Sequence, residues 1–182
     1  FAEEYGGFGG SVEDTVAMME ELGKGIVVEP YVSTVVMFGG LLSAASNEAL
    51  KAEYIPKIID GSCLGSFAFL ERQSRFEIAD IATSAVVSDA GFTLNGEKTV
   101  VFNAATANSL IVAARTSGDQ FDPQGISLFM VDAASPGINI DSYKTMDGQS
   151  AATVSFNDVQ VSDSQLLGAV GQGMTIVDQV MP

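Results

Sequence analysis

The sequence predicts an α+β fold: an N-terminal helical segment, a β-barrel middle domain, and the start of a C-terminal helical bundle. Three observations carry that expectation. Apolar residues recur at helical spacing through the first third of the chain, between Val12 and Ile59. From Cys63 the period shortens, and short apolar runs alternate with turn-forming residues as far as Phe156. Helical character returns after Gly173. The expected domain boundaries are 1–62, 63–166 and 167–182.

Each element has a local reason. Ser11 can cap a helix whose third residue, Asp14, completes a capping box. Val12, Val16, Met19 and Leu22 then form one apolar stripe, and Gly23 and Gly25 end the helix. Pro30 suits the first turn of a second helix carrying Val32, Val35, Val36, Leu41 and Leu42. Ser46 can cap a third segment with Leu50, Tyr54 and Ile55; Pro56 is expected to interrupt it, and Gly61 to close it. Strands are expected around Phe67–Leu70, Ala85–Val87, Phe92–Leu94, Val100–Phe102, Leu110–Ala113, Ile126–Val131, Ile138–Ile140 and Thr153–Phe156. Asp89-Ala90-Gly91 suits a tight turn, and Asn95-Gly96 is the stronger signal, for a type I′ hairpin. Many short strands at this spacing favour a small barrel or sandwich.

Composition narrows the chemistry. The 182 residues suit one average domain or parts of two. An apolar fraction of 47% with 17% charged residues supports a buried core. The chain holds 23 Asp and Glu against 8 Lys and Arg, a net charge of −15. So negative a surface repels phosphate backbones and anionic membranes, which argues against nucleic acid as a partner. There is no His, so His-based triads and His-ligated zinc are excluded from this chain alone, and no metal is expected. Cys63 is the only cysteine, read as a small core residue; one unpaired thiol fits a reducing, cytoplasmic setting. No apolar run approaches the roughly 20 residues of a membrane span. Starting at Phe1 and stopping inside an apparent helix, the chain reads as a piece of a longer protein.

Several motifs bear on function. The glycines at 6, 7, 9 and 10, and at 168, 171 and 173, precede helices but lack a preceding strand or a following Lys-Ser/Thr, so they read as turns. Glu71, at the end of an apolar strand, could form a carboxylate pair with Glu77 or Asp80, although exposed loop acids are the simpler reading. Arg72 and Arg75 place two of eight basic residues three positions apart. Guanidinium forks grip phosphate or carboxylate, so this loop either holds an anionic ligand or pairs with Glu71, Glu77 and Asp80.

Taken in order, EEYGGFGG (3–10), YIPKIIDG (54–61), FAFLE (67–71), LNGEK (94–98), FNDVQV (156–161) and LLGAVGQG (166–173) resemble the motifs of the acyl-CoA dehydrogenase family. Within that family the ERQSRFEIAD loop (71–80) is similar to the small subunits of heteromeric, pimeloyl-CoA-type enzymes. The resemblance implies FAD as cofactor, with the acyl Cβ giving a hydride to the flavin while a carboxylate removes the α proton. It implies α,β-dehydrogenation of an acyl-CoA thioester in fatty acid β-oxidation, electron-transferring flavoprotein as acceptor, and a homo- or hetero-oligomer. The alternative is a non-catalytic partner that completes another subunit's active site, with a generic barrel binding module as the control hypothesis. Carried over by position, the cofactor-binding residues are Phe69, Leu70, Glu71, Ser74, Phe76, Val100, Val101 and Phe102, the first three and last three through their main chain. Arg72 and Arg75 are the substrate or pyrophosphate contacts. The family's Thr hydroxyls and stacking aromatic are replaced here by Leu70, Phe102 and Val100, and its Gly-Ser-Asp by Arg75-Phe76-Glu77. No catalytic residue is expected in this chain, because the family takes its base from the C-terminal helical domain.

Overall fold

The computed structural model describes residues 1–75 and 77–181. Its helical part starts with a 3₁₀ turn (Glu3–Tyr5) and helix α1 (Val12–Lys24). The Ser11–Asp14 capping box forms as expected, and Gly25 is the C-cap, with Gly23 inside the helix. No residue of α1 is fully buried; of its apolar stripe Met19 and Leu22 are half-buried, while Val12 and Val16 are exposed. A π-helical stretch (Val32–Phe38) then runs directly into α2 (Gly39–Ala44). The wide turn shows in the Gly39 amide, which bonds the Thr34 carbonyl five residues back.

Helix α3 (Glu48–Ile59) departs from expectation at its N-cap and at Pro56. Its cap is Asn47 rather than Ser46: the Asn47 carboxamide oxygen accepts the Leu50 amide at 3.2 Å. The Asn47 Nδ2 also donates to the carbonyls of Ser164 and Leu166, contacts 117 and 119 residues distant that local reading cannot see. Pro56 lies inside the helix without interrupting it. Burial of Leu50, Ile55 and Ile58 on one face outweighs the single lost amide bond.

Seven strands follow: β1 (Gly65–Ala68), β2 (Ser84–Ser88), β3 (Gly91–Phe102), β4 (Ser109–Arg115), β5 (Ile126–Asp132), β6 (Ile138–Lys144) and β7 (Ser150–Val161). They form one curled sheet. β5 takes one edge of β4, while β1 and the first residue of β2 take successive stretches of the other, and the sheet continues through β3, β7 and β6. No ladder among the described residues joins β5 to β6, so the curl is a half-barrel rather than a closed barrel. Helix α4 (Gly173–Val180) follows.

The curl creates two cores, and period-2 alternation assigns residues to them. Ile111 and Ala113 of β4, with Leu128 and Met130 of β5, pack against Phe38, Leu41, Ile55 and Val177 of the helices. Their neighbours Leu110, Val112, Phe129 and Val131 face inward onto Leu94, Val101, Val154 and Phe156. Strands β4 and β5 are thus buried on both faces, which explains their nearly continuous apolar sequences, broken within β5 only by the buried Ser127.

The expected Asn95-Gly96 hairpin is overturned. Phe92–Leu94 and Val100–Phe102 belong to the same strand, β3, and the β2–β3 turn is made at Asp89-Ala90, closing Ser88 on Gly91. Asn95-Gly96 instead lies at a bulge against β7. Gly96 has φ +150°, and a Cβ there would lie 2.5 Å from the Thr83 hydroxyl oxygen. Asn95 exchanges two hydrogen bonds with Asp158, donating to its carboxylate at 3.0 Å and accepting its amide at 2.9 Å. Both a hairpin and a bulge call for glycine's conformational freedom, so the dipeptide alone does not choose between them.

Candidate functional site

Strand β1 is anchored before it reaches the site. The Thr34 hydroxyl donates to the Gly65 carbonyl at 3.0 Å and accepts the Gly65 amide at 3.1 Å. Gly65 must be glycine here, since a Cβ would come within 2.3 Å of the Phe38 ring. Past Ala68 the chain leaves the sheet through Phe69 and Leu70, with Phe67 and Phe69 stacked at 4.6 Å. Leu70 still accepts the Thr99 amide at 2.8 Å, which ties this exit to β3.

Glu71 then turns inward. Its carboxylate takes the Lys98 ammonium at 2.7 Å, the amides of Thr83 (3.0 Å) and Ala82 (2.9 Å), and the Gln73 carboxamide (2.7 Å). Lys98 is 0% exposed and also donates to the Phe69 carbonyl at 3.2 Å. Burial by itself would raise the Glu71 pKa; the Lys98 charge and the donated hydrogen bonds outweigh it and hold the carboxyl at about 2. Burial lowers Lys98 to about 8 against the pull of Glu71. The carboxylate, with four donors, is the securely charged member. Glu71 is therefore neither an exposed loop acid nor half of a solvated acid pair. Asp80 is also buried, accepting Gln120 at 2.6 Å, whereas Glu77 is exposed.

Opposite the β1 exit, β3 breaks register a second time, between Lys98 and Val101. The bulge places Val100 at φ +51° and is followed by Asn103 at φ +58°. A left-handed conformation is a genuine outlier for a β-branched residue and costs on the order of 1–3 kcal/mol. The surroundings enforce it. Ser66 donates to the Phe102 carbonyl at 2.7 Å, the Asn103 amide bonds the Ser150 carbonyl at 2.8 Å, and the Asn103 side chain donates to Ser33 at 3.0 Å. The result is an apolar lip. Val100 is 37% and Phe102 39% exposed, with Phe69 and Leu70 half-buried at the adjoining β1 exit.

The residues singled out from the sequence fall into three groups. Phe69, Leu70, Val100 and Phe102 line the two adjacent chain segments, while the Val101 side chain sinks into the inner core. Glu71 and Ser74 are buried, and the Ser74 hydroxyl is occupied within its own turn, accepting the Glu71 amide and donating to the Glu71 carbonyl, both at 2.9 Å. Arg72 and Arg75 are exposed; Arg72 reaches Glu97 at only 3.9 Å with its side chain 85% exposed, and no ion pair to Arg75 forms among the described residues. Phe76 lies outside the described residues. Of the two readings of this loop, the salt bridges of its arginines with Glu71, Glu77 or Asp80 do not form among the described residues. Sequence reading missed Lys98 as a partner for Glu71. The alternation Phe92, Leu94, Gly96, Lys98 places it on the inward face, a signal that its charge obscured.

A separate groove of about 880 Å³ lies on the helical side, lined by Phe1, Val12, Met18, Tyr31, Val35 and Val180 among others. It includes none of the lip residues. No helix among the described residues is long and apolar enough to cross a membrane.

Comparison with known proteins matches both parts of the chain. A sequence model for the acyl-CoA dehydrogenase N-terminal domain matches residues 1–62, and one for the acyl-CoA dehydrogenase middle domain matches residues 66–159. A probable acyl-CoA dehydrogenase of Bacillus subtilis, YngJ, is 31% identical over 95% of this chain and 47% of its own length. The solved butyryl-CoA dehydrogenase of Megasphaera elsdenii superposes with a TM-score of 0.88 at 29% identity, over 97% of this chain and 48% of that one. A structure described as a Tcur3481-Tcur3483 steroid ACAD variant superposes at 0.87 with 25% identity, over 98% and 47%. The chain spans about half the length of the curated relatives it matches.

Proposed function

Because the chain belongs to the acyl-CoA dehydrogenase family, we propose that it supplies the helical and β parts of a subunit performing FAD-dependent α,β-dehydrogenation of an acyl-CoA thioester. The proposal keeps the boundaries 1–62, 63–166 and 167–182, a cytoplasmic setting, and electron-transferring flavoprotein as electron acceptor. FAD, when bound, supplies the hydride acceptor. The observation that carries the reading is the lip. Two adjacent segments present partly exposed apolar residues, and the second bulge takes Thr99 and Val100 out of register with β7. Peptide groups freed from a ladder, beside an apolar surface, suit a planar ring with polar edges.

The donor set fits such a group in one way and not in another. Main-chain atoms of Phe69, Leu70, Val100, Val101 and Phe102 would hold the ring; the Glu71 amide and carbonyl, expected to join them, are already bonded to Ser74 within their own turn. Leu70, Val100 and Phe102 offer the ring no hydroxyl contact. Arg72 and Arg75, exposed and weakly engaged, are the groups for an anionic part, either the flavin pyrophosphate or the thioester's CoA. Losing one charge-assisted contact corresponds to about tenfold or more in affinity. Arg75→Ala should therefore weaken binding of FAD or acyl-CoA by at least that factor; titrations of both ligands giving wild-type values would remove Arg75 from the site.

The same bare lip favours a second reading, in which this subunit completes the flavin site of a different subunit. The paired designation of the Tcur3481-Tcur3483 relative supports a heteromeric assembly. The test uses the full-length protein, purified alone and co-expressed with a candidate partner subunit. Flavin absorbance and acyl-CoA oxidation by the protein alone favour the first reading, and their appearance only in the mixture favours the second. Colourless, inactive protein in both preparations would overturn the proposal.

A further inference from the structure

We propose that Lys98, through its ion pair with Glu71, is the positioning residue of the cofactor-facing lip. The inference rests on the reading just given and adds a residue that reading did not use. Lys98 immediately precedes the bulge, and its ammonium reaches back to two points of the β1 exit: the Phe69 carbonyl at 3.2 Å and the Glu71 carboxylate at 2.7 Å. The Leu70 carbonyl lies between them and takes the Thr99 amide at 2.8 Å. Three successive residues of one lip segment are thus fixed against two successive residues of the other. Glu71 extends the clamp to the start of β2 through the amides of Ala82 and Thr83.

This arrangement explains how strain at Val100 persists. A left-handed valine relaxes unless both ends of its bulge are held. The Ser66 and Asn103 bonds hold the far end, and Lys98 holds the near end. A fully buried lysine is also an inefficient way to stabilise a β-domain, since well-packed apolar residues do as well or better. Its particular contribution is directional: one donor head fixes the spacing of two backbone segments whose outward peptide groups must meet a single flat ligand.

The test compares wild-type full-length protein with the double variant Glu71→Gln/Lys98→Met, which removes both charges together and leaves no buried ion unpaired. FAD affinity is read by quenching of flavin fluorescence, thermal stability by the unfolding midpoint, and lip order by amide hydrogen exchange. The expected result is a midpoint near wild type, FAD binding weaker by about tenfold or more, and faster exchange at residues 99–103 than in wild type. Wild-type FAD affinity and exchange in the folded variant would overturn the inference. Should the variant fail to fold, wild-type exchange decides. Amides 99–103 protected like the β4–β5 ladder support the clamp, and amides exchanging like the 145–149 turn sink it. Wild-type protein that takes up no FAD in any assembly overturns the underlying reading instead, before any variant is made.

Discussion

At the residue scale, the Glu71–Lys98 pair and the Val100 conformation dominate the energetics around the lip. Removing one member of a buried pair leaves an uncompensated charge, so Lys98→Ala alone should destabilise the protein by roughly 3–5 kcal/mol, measurable by denaturant unfolding. Val100→Gly should act in the opposite direction. Glycine adopts φ +51° without steric cost, and after its larger entropy loss a net gain of about 1 kcal/mol is expected. Unfolding midpoints of the two variants should therefore move to opposite sides of wild type. A Val100→Gly midpoint that falls would mean that side-chain packing, not backbone strain, governs that position.

At the element scale, α1 and α3 contrast. Helix α3 buries Leu50, Ile55 and Ile58, and Asn47 joins its first turn to the segment ahead of α4. Asn47→Ala removes a cap and two long-range bonds together, so a loss of about 2 kcal/mol is expected, above that of an ordinary cap. Helix α1 has no fully buried residue, Met19 and Leu22 being only half-covered, and its ends rest on its capping box and the exposed Lys24–Glu21 pair. Thirteen residues are marginal for a helix without tertiary support. Amide exchange of this chain should show α1 opening orders of magnitude faster than α3. Equal protection would mean that the apolar stripe of α1 is covered.

The whole molecule should respond to acid through Glu71. Its carboxyl lies at about 2 in the fold against an ordinary 4.5, so the unfolded chain binds the extra proton first. Its contribution to stability is complete above pH 4.5 and is lost progressively as pH falls from 4.5 towards 2. In the charge-free double variant this stretch of the stability–pH curve should flatten; an unchanged slope would assign acid sensitivity to other carboxylates. The two-core architecture makes the effect global, because Glu71 links the β1 exit, the start of β2 and β3.

The order of helices and strands was legible in the sequence because it depends on local periodicity, and β4 and β5 showed as apolar runs whose burial on both faces only the structure revealed. The ordered motifs were sufficient for the family, and they pointed to the two segments that form the lip. What the sequence left open were choices between local equivalents. Ser46 and Asn47 are both competent caps, and Asn95-Gly96 serves a bulge as well as a hairpin. Pro56 breaks a helix only if burial does not hold it. Distant partners made each choice: Leu166 for Asn47, Asp158 and Thr83 for Asn95-Gly96, and the helical core for Pro56. The pairing of Glu71 with Lys98 belongs to the same class. Periodicity can place a lysine on an inward face, but only the curl of the sheet brings a carboxylate to it across 27 residues of chain.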